Sequence, residues 1–158
     1  MSEQPRAGVD RAGNDGYWRL YADGASLGNP GPGGAGAVIY DPAGRVAAEI
    51  SQALGPAVTN NEAEYQALLL GLKELQARGA RKVRLRLDSE LVVRHLEGRY
   101  KVKSARLAGL FQDAKAALAG FEACDLAHVR RELNREADAL AGRAARQAAG
   151  AQAAPAEG

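Results

Sequence analysis

The chain reads as one α/β domain, a mixed five-stranded sheet with three antiparallel strands then two parallel ones, flanked by helices. Three observations predict it. Residues 17–54 carry strand-like alternation broken by tight turns, the pattern of an antiparallel meander. From residue 60 the apolar period lengthens to that of a helix. Beyond that, two further strand-like runs are separated by helical segments, and such strands pair in parallel through right-handed crossovers. Helices on the faces of one sheet are the simplest object with this order.

The first strand is residues 17–24, YWRLYADG, where large and small side chains alternate. GNPGPGG, residues 28–34, is a loop of residues that cannot continue a strand. Residues 35–40 and 45–54 form the next two strands, split by the turn Asp41-Pro42-Ala43-Gly44. A helix is predicted over 60–78, then a strand over 82–87 in which Arg84 and Arg86 alternate with apolar residues. Helices over 89–97 and 104–119, a strand over 121–130 and a helix over 134–146 complete the order. Residues 1–16 are polar and Gly-rich and 147–158 are a low-complexity Ala/Gly run, so both are expected to be disordered tails around a 17–146 domain.

Composition narrows the function classes. Hydrophobic residues make up 46% and charged residues 25%, values of a globular chain. The net charge of +2 permits a polyanionic partner without demanding one. Cys124 is the single cysteine, which excludes an intramolecular disulfide scaffold. No apolar run approaches the roughly 18 residues of a membrane span, and the N-terminus lacks the apolar core of a secretory signal. A cytoplasmic monomer with no membrane association and no obligate protein partner is expected.

TNNEAEY, residues 59–65, holds two glutamates with different tasks. On a wheel of about 100° per residue, Leu68, Gly71, Leu72 and Leu75 fall within about 80° of Glu64, and Glu62 lies about 160° away. Glu62 faces water and completes a capping box with Thr59. Glu64 heads the apolar stripe, where a carboxylate is costly unless it pairs, binds a metal or takes up a proton. Three further acids stand at element ends. Asp23 closes the first strand, where a turn residue would be the plain explanation. Asp88 follows the strand at 82–87, where it could simply cap the next helix. Asp138 lies one turn into the last helix, where it could simply complement the helix dipole. Strand carboxyl ends are also where open α/β sheets place ligand sites. Clustered carboxylates repel, so a cation should hold them, and an all-oxygen donor set suits Mg²⁺ or Mn²⁺. Two such ions about 4 Å apart clamp the attacking and leaving oxygens of a phosphodiester.

At these residues the sequence resembles the ribonuclease H family, type 1. The matching blocks are YADGASLGNPGPGGAGAVI at Asp23, TNNEAEYQALLLGL at Glu64, LRLDSELVV at Asp88 and HVRRELNREADALA ending near Asp138. The resemblance covers about residues 17–146 and implies a ribonuclease H-like fold. It further implies hydrolysis of the RNA strand of an RNA/DNA hybrid, with two Mg²⁺ held by Asp23, Glu64, Asp88 and Asp138 and 3′-hydroxyl and 5′-phosphate ends. Thr59, Asn60 and Asn61 resemble the family's polar substrate-contacting loop, although a cap and turn amides explain them equally well.

Two departures stand out. The stretch before Asp138 is short, so His128 looks like a strand end, and Arg131 takes the place of the histidine that aids turnover elsewhere in the family. An arginine there can hold phosphate but cannot shuttle protons near neutral pH. The basic protrusion of some members is missing, with Arg94, Arg99, Lys101 and Lys103 offering a lesser patch. No separate hybrid-binding domain is expected within the 16 residues before the first strand. Weaker, more salt-sensitive substrate binding is expected. Competing readings are a non-catalytic hybrid-binding module of the same fold and a resolvase- or transposase-like core acting on DNA. A zinc site at Cys124 and His128 is set aside for want of ligands, with Cys124 read as a small core residue.

Overall fold

The computed structural model describes residues 15–153. Strands β1 (Tyr17–Ser26), β2 (Gly33–Tyr40) and β3 (Val46–Ala53) form the antiparallel meander. Helix α1 (Asn60–Ala77) leads to β4 (Lys82–Leu87), α2 (Glu90–Leu96), α3 (Ala105–Ala119) and β5 (Ala123–His128). A 3-10 turn (Arg131–Leu133) precedes α4 (Arg135–Ala153). The sheet order is β3-β2-β1-β4-β5, with β4 parallel to both β1 and β5. This is the mixed five-stranded sheet that the change of period predicts.

Alternation along β1 builds a core on each face. Leu20 and Ala22 join Leu68, Leu72 and Leu75 of α1, Val92 and Val93 of α2 and Leu107 of α3. Each such leucine, removed from water, contributes about 1.5–3 kcal/mol. On the opposite face Tyr21, Val38 and Tyr40 pack against Ala137 and Leu140 of α4. Gly34 and Gly36 of β2 lie beneath α4, and a Cβ on either would run into the backbone of that helix. The bare strand and the alanine-rich helix face thus seat α4 directly on the sheet, which fixes where Asp138 arrives. Within the first core, the Tyr65 hydroxyl and His95 Nδ1 are 2.8 Å apart, and burial holds the imidazole below its usual pKa.

The alternating arginines of β4 have structural partners. The Arg84 guanidinium lies 4.1 Å from the centre of the Tyr17 ring and pairs with Asp15 at 2.8 Å. Arg86 Nη1 donates to the Asp125 carbonyl at 2.9 Å.

Two expectations need correction. The expected disordered tail from 147 onward is helical as far as Ala153, because alanine is the strongest helix former and continues α4 without a break. Residues 154–158 and 1–14 lie outside the described residues. Cys124 is exposed rather than a core residue, because β5 is an edge strand and only part of it is covered. Among the described residues no helix is long and apolar enough to cross a membrane.

Candidate active site

The paired register of β1 and β4 ends at Ala22 and Leu87, so Asp23 and Asp88 are the next residues on two neighbouring parallel strands. Asp88 is not the cap of α2. Ser89 takes that position and its side chain accepts from the Val92 amide at 3.3 Å, which leaves the Asp88 carboxylate for the site. Glu64 comes from the other face of the sheet, on the first turns of α1. Glu62 does what the wheel predicts, its Oε1 accepting from the Thr59 amide at 2.8 Å while the Thr59 hydroxyl accepts from the Glu62 amide.

Gly24 makes the delivery of Glu64 feasible. A Cβ there would collide with the backbone of Ala63 and Glu64, so the helix can touch β1 only at a glycine. The Gly24 amide donates to Glu64 Oε1 at 2.7 Å and to Asp23 Oδ1 at 2.9 Å, binding the two carboxylates into one unit. Asp23, Glu64 and Asp88 each offer an oxygen within 4.8 Å of the others. Asp138 stands on α4 at the same cleft, its Oδ1 3.6 Å from Arg131 Nη2. The cleft holds about 700 Å³ and includes Gly24, Leu27, Asn60, Arg131 and Arg146 in its walls.

The electrostatics follow from burial and like charge. Burial first, then the charge of Glu64, drives Asp23 far above the ordinary carboxylate range, with Asp88 adding to the rise. Burial pushes Glu64 up to about 7, with Asp88 acting the same way, while its hydrogen bonds with Asp23 and the Gly24 amide and the charge of Arg131 oppose the rise. Buried carboxylates in this state take up protons or a cation. An oxygen-only donor set held this closely fits a hard divalent ion.

Other candidates fall less evenly. Arg131 sits on the 3-10 turn with its side chain 80% exposed, facing the cleft beside Asp138. His128 ends β5 opposite Leu87 and is not among the residues lining the cleft. Asn60 lines the cleft, and its amide donates to Asn29 Oδ1 at 2.9 Å, tying the GNPGPGG loop to the start of α1. Thr59 is occupied by its capping bonds, and Asn61 is outside the lining.

Sequence reasoning misses Asn134, which reads only as the start of the last helix. It is buried, and its Nδ2 donates to the Ala22 carbonyl at 2.9 Å and to Asp88 Oδ2 at 3.2 Å. One side chain thereby fixes Asp88 against the end of β1. An asparagine directly before a helix invites a capping explanation, so the sequence carries no separate signal for this role.

A meander, a crossover to a parallel neighbour and acids at the shared strand ends define a ribonuclease H-like α/β domain. Residues 21–144 match the family model described as reverse transcriptase-like. Among curated proteins, Ribonuclease HI of Halobacterium salinarum is 40% identical over 124 residues, which cover 78% of this chain and 62% of that protein. Bifunctional protein Rv2228c of Mycobacterium tuberculosis is 44% identical over 142 residues, 87% of this chain and 39% of the relative. The chain thus spans well under half the length of its mycobacterial relatives. The solved N-terminal RNase H domain of Rv2228c aligns with a TM-score of 0.83 and 40% identity, covering 87% of this chain and 99% of that one. LC11-RNase H1, solved in complex with an RNA/DNA hybrid, aligns with a TM-score of 0.77 and 37% identity, covering 84% and 99%. The chain belongs to the reverse transcriptase-like family, on its ribonuclease H side.

Proposed function

We propose that this domain is a monomeric endonuclease that hydrolyses the RNA strand of RNA/DNA hybrids. The observation that carries the reading is the set of carboxylates Asp23, Glu64 and Asp88 within 4.8 Å, with Asp138 beside Asp23 at the same cleft. Its likeness to a ribonuclease H solved with a hybrid supports the substrate class. Asp23, Glu64, Asp88 and Asp138 would hold two Mg²⁺, with Mn²⁺ as a substitute. Two ions bound there would stabilise charge on both the attacking and the leaving oxygen of a phosphodiester.

The chain's own groups prepare that reaction. The Gly24 amide holds Glu64 Oε1 and Asp23 Oδ1, and Asn134 holds Asp88, so three carboxylates are oriented before substrate arrives. Arg131 stands exposed at the rim, placed to take a phosphate oxygen. Asn60 lies on the same wall, and its side-chain amide is suited to the 2′-hydroxyl by which RNA differs from DNA in the minor groove. Water adds to phosphorus, the P–O3′ bond breaks, and the departing O3′ takes up a proton. The products are a 3′-hydroxyl and a 5′-phosphate.

The test is cleavage of a labelled hybrid with Mg²⁺ or Mn²⁺, beside duplex DNA and duplex RNA, with Asp88→Asn as control. Cutting confined to the hybrid's RNA strand and lost in Asp88→Asn is the expected result. Binding of hybrid without cutting under either ion would leave a binding module, and cutting of duplex DNA would point to a resolvase-like activity.

A further inference from the structure

Arg146 is the one cation of the cleft wall besides Arg131 among the described residues, and neither the sequence motifs nor the chemistry above assigns it a task. It stands two turns beyond Asp138 on α4, with Gly142 between them, and all three line the cleft. Helical side chains lean toward the N-terminus of their helix, so Arg146 leans back over Gly142 toward Asp138. A Cβ built on Gly142 would lie 3.4 Å from Arg146 Nη1, which shows the guanidinium lying along the strip that the glycine leaves bare. Its head is therefore roughly one helical turn, about 5.4 Å, along α4 from Asp138.

Among the described residues this guanidinium has no partner of its own. It is exposed and makes no hydrogen bond or ion pair among the described residues. The helix offers it none, because the positions three and four residues away are Arg143, Gly142, Ala149 and Gly150. The acids that could attract it are already engaged. Asp138 faces Arg131, and Asp23, Glu64 and Asp88 are gathered at the strand ends. An unpaired planar cation beside an acidic pocket, at about the reach of a neighbouring nucleotide, is suited to a phosphate that the pocket itself does not hold.

We propose that Arg146 binds a non-reacting phosphate of the hybrid, a neighbour along the strand of the phosphate placed over the carboxylates. The inference rests on the nuclease reading and deepens it. Arg131 and Arg146 then grip the backbone on either side of Asp138, giving this domain a rigid helix-borne contact in place of the missing protrusion. The contact is a binding one, so it acts on affinity and on salt dependence rather than on the chemical step.

The experiment measures binding without cutting, in the Asp88→Asn background, by fluorescence anisotropy of a labelled hybrid over a range of salt. Adding Arg146→Ala should raise Kd about fivefold and reduce the slope of log K against log salt by about 0.7–0.9. Arg146→Lys should keep the slope. A series of hybrids with one methylphosphonate each should reveal one position that weakens the parent but not Arg146→Ala, which identifies the phosphate. Because Arg146 is exposed, an unchanged Tm is expected to accompany these effects. Equal Kd and slope in parent and Arg146→Ala would overturn the inference while leaving the nuclease reading intact. A parent that binds no hybrid would overturn both, and a lysine variant as weak in slope as alanine would overturn the role of charge.

Discussion

The carboxylate site has a sealed half and an open half, built on different physical terms. Asp23 is 4% exposed, carries the larger rise in pKa and shares the Gly24 amide with Glu64. Asp138 and Arg131 stand on the outer wall with side chains 42% and 80% exposed. The sealed half is oriented by backbone and burial, and without a cation it is under electrostatic stress. Asp138 reaches inward to within hydrogen-bonding distance of Asp23, while Arg131 is held only by a loose ion pair with Asp138 that substrate or solvent can replace. On the proposed function, geometry for catalysis resides where change is costly to the fold, and substrate handling resides where change is cheap.

Breaking the sealed half should give the largest effects. Asp23→Asn is expected to lower hybrid cleavage by about 10³-fold or more, because it removes the charge and one oxygen of a carboxylate proposed to hold the ions. The same change should raise the Tm of the metal-free protein, by roughly 3 °C for each kcal/mol of repulsion relieved. A loss of activity accompanied by a lower metal-free Tm would contradict the picture of stress. Gly24→Ala comes next. Its methyl group meets helix backbone that cannot swing aside, so about 2–3 kcal/mol of stability should be lost in urea unfolding, together with activity. Retained activity in Gly24→Ala would show that α1 can shift without displacing Glu64.

The stress also has a pH signature. The unfolded chain releases carboxyl protons near pH 4, whereas burial raises Glu64 to about 7 and Asp23 higher still. Between those values the native state binds more protons, so metal-free stability should fall as pH rises from about 4 through neutrality. A divalent ion should restore it by occupying the site. Thermal melts in EDTA and in Mg²⁺ across pH 4–8 check this, and a metal-free Tm that climbs toward pH 8 would count against it. On the open half, Arg131→Ala should slow turnover by about tenfold or less and leave Tm unchanged, since the role proposed for this side chain is to hold substrate phosphate rather than to order the carboxylates.

The same division explains what could be read in advance. Glu64 was legible because helical periodicity places it at the head of a leucine stripe whose members Leu68, Leu72 and Leu75 prove fully buried. Strand β4 was legible to the residue, as its alternation and flanking polar residues bound it on both sides. Asn134 and the glycines at 24, 34 and 36 were not, because their roles are approaches between distant segments that no local pattern encodes. Cys124 was misjudged for a related reason. An apolar-looking strand does not announce that it will lie at a sheet edge.

The smallest expected effect isolates a single helix cap. Glu62 and Glu64 are two residues apart, but one closes a capping box and the other accepts from the Gly24 amide of β1. Glu62→Gln keeps a side-chain oxygen for the Thr59 amide and loses only the charge near the positive end of α1 and a 3.7 Å pairing with Arg106. It should cost about 0.3–1 kcal/mol in urea unfolding and leave cleavage within about twofold. Glu64→Gln removes a charge from the sealed half, so cleavage should collapse while metal-free stability rises. If the two substitutions instead reduced activity equally, α1 would be feeding the site through its position as a whole, and the distinction between a capping and a coordinating glutamate would fail.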